Sequence, residues 1–303
     1  PRRPGMSVGA MVFTCPMFSP PRVLTLDSPL EANFGTPQRL TPEVLVYTFH
    51  VDETGRSGNT KFFYIGGLVA DEKQFVAATE RTKKIRKHYG YQETDKFKFS
   101  TNSRPDHMTF EDWTASKREA LELINELDIK FLVLYIHHKI ANPLKRPEGV
   151  TWNMQNLFRH YARIFLQDEP GAVCLDRVDE KWSHNEVAKI AQAQIPFKDE
   201  TIGIPEIFHY SFTDHRFSEF NSLVDIILGT FHYCCESAFA DNRSERIETV
   251  RTMLGLVYPC FARDKDTGYA TGTGLLSQPR NPTYIYQQEY EAVQTFLAEL
   301  KPS

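Results

Sequence analysis

Three carboxylates stand where carboxylates are costly. Asp52 closes the β-branched and aromatic run Val44-Leu45-Val46-Tyr47-Thr48-Phe49-His50-Val51. Asp176 closes Ala172-Val173-Cys174-Leu175, and Asp225 interrupts Leu223-Val224-Asp225-Ile226-Ile227-Leu228. A charge withdrawn from water must be paired or bound to a metal. Singly, Asp52 reads as the acid that opens the turn Asp52-Glu53-Thr54-Gly55, and Asp176 as an ion-pair partner for Arg177. Asp225 is the most informative, because aliphatic residues flank it on both sides; the plain alternative is an acid that reaches solvent or a nearby Arg. Gathered in one place, three acids repel one another unless a cation neutralises them. Hard oxygen ligands suit Mg²⁺ or Mn²⁺, and two such ions about 3.5–4 Å apart support in-line phosphoryl chemistry. Asp52, Asp176 and Asp225 are therefore the candidate metal ligands and catalytic residues. Glu53 is an auxiliary catalytic candidate. On a regular strand it points away from Asp52, so it serves the site only if the strand ends there.

The elements that must position these acids follow from periodicity and turn chemistry. The run 44–51 and the aromatic run Phe62–Val69, joined by the Gly-containing segment 54–59, read as a strand hairpin. A helix is expected from Asp71 or Glu72 to about Tyr89, a second over Ser116–Leu127, and a strong strand over Ile129–His137. Helical patterning returns at Thr151–Gln167, Asn185–Gln194, Phe217–Phe239, Ser244–Leu254 and Tyr284–Leu300, with short strands at Ala172–Asp176 and Ile207–Phe212. The stretch 264–282 reads as irregular. A hairpin followed by alternating helices and strands predicts an α/β fold with a mixed sheet and helices on its faces. Residues 1–43, rich in Pro, Ser and Gly, read as an extended or partly disordered N-terminal segment. Residues 44–303 read as one domain, with a helical extension from about 241.

With 303 residues, 41% of them hydrophobic and including 22 Phe and 13 Tyr, the chain can bury a sizeable core. A net charge of -4 excludes a uniformly basic nucleic-acid binder and confines any polyanion site to a local patch. The five Cys are odd in number and contain no C-x-x-C pair, which argues against structural zinc and a disulfide framework. Reduced thiols suit a cytoplasmic protein, and no segment approaches the apolar length of a membrane span. The best local patch is the basic run Arg81, Lys83, Lys84, Arg86, Lys87 and His88, followed by Lys96 and Lys98. Lys83, Lys84, Lys87 and Lys98 are the candidate phosphate-backbone contacts, against the commoner role of a solvated helix face. Tyr89 and Tyr91 suit base stacking or a helix-end core. His137-His138 suit acid–base work or a satisfied structural role, and His209, His215 and His232 surround the Asp225 helix without distinguishing themselves.

The segment Val51-Asp52-Glu53-Thr54-Gly55, followed by Phe62-Phe63-Tyr64-Ile65-Gly66-Gly67-Leu68-Val69, resembles the opening of the bacterial and phage DUF3800 family. Leu175-Asp176-Arg177 is similar to that family's strand-borne I-D-R, and Leu223–Gly229 to its L-A-D-L-I-A-G helix. The resemblance covers roughly residues 44–240. It implies an RNase H-like fold and a metal-dependent nuclease role linked to phage or mobile elements, with acids on the first strand, near the end of the fourth strand and on a late helix. Three positions depart from the pattern, one of them Asn221-Ser222, where the family often has Gln shortly before the helix acid. Thr54 replaces Ser, and Lys96 stands where the family carries an acid, with Glu93 and Asp95 just before it. The expected function is thus a nuclease using Mg²⁺ or Mn²⁺ on DNA or RNA. The alternative is a non-catalytic RNase H-like subunit that binds nucleic acid or protein, and a homodimer or a place in a larger complex is open under either reading.

Overall fold

The computed structural model describes residues 45–300, apart from 56–58, 142–146, 168, 177–184, 186, 190, 193–194, 198–199, 214–217 and 281–285. Residues 1–43, Arg177 and His215, on which expectations fell, lie outside the described residues, as do 186, 190, 193 and 194 of the expected 185–194 helix, whose described residues 185, 187–189 and 191 are helical.

Hydrophobic runs of strand length build a six-stranded mixed sheet. In chain order its strands are β1 (Tyr47–Thr54), β2 (Phe62–Asp71), β3 (Lys130–His137), β4 (Gly171–Asp176), β7 (Ile207–Thr213) and β8 (Leu275–Gln278), arranged β7-β4-β1-β2-β3-β8. The meander β1-β2-β3 is antiparallel, whereas β4, β7 and β8 each join a neighbour in parallel. A separate hairpin pairs β5 (Ile195–Phe197) with β6 (Glu200–Ile202). Strand β2 is buried from Phe62 to Ala70, as a central strand covered on both faces must be.

Side-chain alternation divides the core between those faces. Phe62, Tyr64, Leu68, Phe131 and Val133 pack beneath α1 (Glu72–His88), α2 (Phe110–Glu126), α5 (Glu219–Glu236), α6 (Arg243–Val257) and α7 (Gln287–Glu299). Phe49, Val51, Phe63, Ile65 and Leu134 pack on the opposite side, where α4 (Pro147–Tyr161) lies; the short α3 (His138–Ala141) precedes it. Helix α5 sinks Phe220, Leu223, Ile226, Ile227, Leu228 and Phe231 completely into the first layer, each contributing roughly 1.5–3 kcal/mol. Gly67 permits the close approach of β2 to β1, since a Cβ there would stand 1.7 Å from the His50 carbonyl oxygen.

The mixed α/β sheet with flanking helices matches the expectation from element order. Several boundaries differ, for local reasons. Helix α2 starts at Phe110, because the Thr109 hydroxyl accepts the Asp112 N–H at 3.0 Å and caps it. The helix expected over 151–167 begins at Pro147, and its last turn, Ala162–Leu166, widens to π geometry. The stretch 264–282 is not wholly irregular. Its segment Leu275–Gln278 joins β3 as the sixth strand, so the C-terminal region adds to the sheet as well as supplying helices. Strand β1 also continues past Asp52 to Thr54, which bears on Glu53. No helix among the described residues is long and apolar enough to cross a membrane.

Candidate functional site

Strand alternation sends Asp52 to the α5 side of the sheet. His50, two residues earlier on the same face, stacks on Phe75 (ring centroids 5.1 Å apart) and packs against Phe220 of α5. Its Nδ1 lies 3.0 Å from Asn221 Oδ1, a contact that fixes the phase of α5 over β1 one turn before Asp225. In the parallel register Val51 pairs with Leu175, so Asp176 is the neighbour of Asp52 on the adjoining strand. Three elements, β1, β4 and α5, thus carry the three acids to one region.

The electrostatics record that proximity. Asp52 keeps a sliver of exposure, yet the protein around its carboxyl pushes its pKa up to about 8. Desolvation is the largest cause, followed by repulsion from Asp225 and then Asp176; the Glu53 N–H, donating to Asp52 Oδ1 at 2.7 Å, and Lys98 act the other way. Asp225 is better supported. The Phe99 N–H donates to its Oδ2 at 2.7 Å, and Lys98 Nζ stands 3.6 Å from its Oδ1. Gly229, one turn further along α5, makes this possible: a Cβ there would meet the Phe99 ring at 2.5 Å. Asp225 therefore has a cation beside it, as the plain reading of a helix acid requires, but that cation is Lys98 rather than an arginine.

The donor chemistry suits a hard divalent cation, since Asp52 lies within electrostatic reach of both Asp225 and Asp176 and burial, followed by that repulsion, raises its pKa. The spacing is that of neighbours. Among the described residues, no three Asp, Glu, His or Cys side chains close on a common point as metal ligands do.

The remaining candidates separate. Because β1 runs on to Thr54, alternation turns Glu53 toward the opposite sheet face, in register with Ile65, so it borders the cleft next to Asp52 without sharing its face. Of the four candidate lysines, Lys98 joins the acids. Lys83 pairs with Glu80 at 2.8 Å on exposed α1, and Lys84 and Lys87 are exposed on the same helix. Within that run Arg81 pairs with Glu126 and Arg86 with Glu219. Asp95, one of the acids near Lys96, is occupied in its own turn by the Gln92 N–H at 2.6 Å. Tyr91 packs on Phe97 and bonds Ser116, a helix-end core role. His137 is buried and stacked on Tyr286 at 4.0 Å. Cys234 and Cys235 are buried, with thiol pKa values pushed up by desolvation, which suits packing and not nucleophilic chemistry.

Beside Asp52 and Asp225 opens a cleft of about 1060 Å³ between α2, α5 and α6. Phe99, Trp113 and Tyr233 supply aromatic walls, and Leu228, Met253 and Leu256 aliphatic ones. Two groups in it went unselected in the sequence. His232 Nδ1 lies 3.3 Å from Thr54 Oγ1, and burial draws its pKa down to about 4. Lys117 Nζ sits 3.0 Å from the Trp113 ring centroid and donates to the Phe99 carbonyl at 3.1 Å. Burial draws its pKa down to about 7, partly offset by Asp225. Lys117 had a readable signal, because with Trp113, Leu121 and Ile124 it falls on the apolar stripe of α2. Against known proteins, no family model matches the chain, and neither a curated protein nor a solved structure is significantly similar to it.

Proposed function

We propose that this protein is a metal-dependent phosphodiesterase of RNase H-like architecture that hydrolyses nucleic acid. The observation that carries the reading is that β4 and α5 bring Asp176 and Asp225 into electrostatic reach of Asp52 on β1, with Asp52 and Asp225 lining an open cleft. That is the order, first strand, fourth strand and late helix, which the DUF3800 resemblance implies. The three acids would hold Mg²⁺ or Mn²⁺. Such a cation, when bound, supplies an acidic water and offsets the charge of the phosphate.

The chain's own groups have distinct tasks. Asp225 is oriented by the Phe99 N–H and Lys98. Lys98 and Lys117 put positive charge where a phosphate must approach two or more carboxylates. Lys117 Nζ, with its pKa near 7, exchanges a proton at neutral pH. The aromatic and aliphatic walls limit bulk water. The test is cleavage of labelled single- and double-stranded DNA and RNA by the full chain with Mn²⁺ or Mg²⁺. Loss of cation-dependent cleavage in Asp225→Asn is expected; undiminished cleavage refutes the assignment.

The second reading, a non-catalytic binding subunit, draws support from Lys98 already serving as counter-ion to Asp225 and from Lys96 at the position of the family's acid. It requires that the wild-type chain bind neither cation at these acids.

A further inference from the structure

The cleft is larger than a phosphate requires. Its walls are largely aromatic and aliphatic, and charged and polar side chains border them. Trp113 and Phe99 flank Lys117, while Phe110, 54% exposed, stands with its ring centroid 5.7 Å from that of Trp113 at the solvent side. Phe110 keeps one edge on Trp113 and leaves much of its ring in solvent beside an apolar cleft. Lys117 and the exposed Arg118 lie on the same wall, and the acid pair Asp52 and Asp225 at one end.

We infer that this cleft receives an unpaired nucleobase next to the phosphodiester group, so that the substrate class is single-stranded nucleic acid, or a strand with an extruded base. The inference rests on the hydrolytic reading for the phosphate at its acidic end. Stacked, paired bases offer no free face, so a duplex cannot fill an aromatic cleft of this kind without unpairing. The part-exposed Phe99 and the exposed Phe110 offer the ring faces, while Lys117, which covers the buried Trp113 ring, sets its positive charge beside them.

The experiment is binding of labelled oligothymidylate, oligouridylate and a duplex of equal length to the full chain in EDTA, followed by fluorescence anisotropy. A single-stranded probe is expected to bind at least about ten-fold more tightly than the duplex. Phe110→Ala is expected to weaken it about five-fold or more, the loss of one stacking contact. Thr252→Trp, on the exposed face of α6 and lining the same cleft, fills the space and weakens it further. Both positions are exposed, so thermal melting stays within about 2 °C of wild type. Preference for the thymidylate or the uridylate probe assigns DNA or RNA, and either supports the inference. Equal duplex binding, no single-strand binding, or indifference to both variants overturns it. The two readings fail separately. Cation-dependent cleavage with affinity indifferent to Phe110 removes the base site and leaves hydrolysis. Phe110-dependent single-strand binding without cleavage under any cation does the reverse.

Discussion

Replacing Asp52 by Asn should make the protein more stable while removing its proposed chemistry. In the free protein the Asp52 carboxyl is raised from its ordinary 3.8 to about 8. The folded state therefore holds a proton that the unfolded chain has released. Stability contributed by that proton is complete below about pH 4 and is lost as pH rises toward 8. At about 1.36 kcal/mol per pH unit, the ceiling on this penalty is roughly 5 kcal/mol at pH 8. Relaxation and water entry reduce such figures, and about 1–3 kcal/mol is the expected gain from Asp52→Asn. Asn keeps the shape and the acceptor that the Glu53 N–H uses. For a unit of this size each kcal/mol moves the melting temperature by about 2–4 °C. Melting curves in EDTA at pH 5 and pH 8 should show a rise of several degrees at pH 8 and a smaller one at pH 5. Adding Mn²⁺ at a hundred times its dissociation constant should raise wild type by about 2.7 kcal/mol and leave the variant unmoved. A variant no more stable than wild type at pH 8, or a gain equal at both pH values, would refute the electrostatic argument.

Other expectations follow from the same geometry. Lys117→Met should stabilise the fold most below pH 7, where wild type carries a buried ammonium. The benefit should shrink as pH rises from about 7 toward 10.5, because the folded amine is then neutral at no further cost; urea melts at pH 6 and pH 9 read this. Asn221→Ala should cost about 1–3 kcal/mol by leaving His50 Nδ1 buried without its partner. It should also weaken cation binding, because α5 loses its fixed phase over β1; a normal Mn²⁺ isotherm would show that the contact does not position Asp225. Gly229→Ala should displace Phe99 and loosen the Asp225 carboxylate, seen as reduced cleavage together with a stability lowered by about 1–3 kcal/mol through overpacking. Gly67→Ala should cost about 3 kcal/mol or more, since neither backbone can yield where β1 and β2 meet.

The carboxylates were legible because acids inside apolar runs violate burial, and the runs themselves fixed which elements carry them. Helix α1 was legible to within a residue because Asp71 and Gln74 form a capping box, each side chain bonded to the other's backbone. What local pattern does not encode is pairing. Strand β8 follows a Gly- and Thr-rich stretch and becomes a strand because the free edge of β3 needs a partner, as the Val133 N–H to Gly274 carbonyl bond of 2.8 Å shows. The place of Glu53 turned on a two-residue extension of β1, set by its pairing with Tyr64 and Ile65. The four lysines were grouped by sequence adjacency, whereas α1 holds three of them on its solvent side and the Phe99 segment carries the fourth to Asp225. His232 had a readable signal, since it lies two helical turns beyond Asp225 on the same face of α5, but the contact with Thr54 depends on how α5 crosses β1.

The most direct measurement is a calorimetric titration of Mn²⁺ into the full chain and into Asp225→Asn at pH 7.5. Saturable binding by wild type, weakened at least about ten-fold in the variant, is the predicted result. No binding by wild type, or equal affinity in both, would contradict the claim that Asp52, Asp176 and Asp225 hold a catalytic cation.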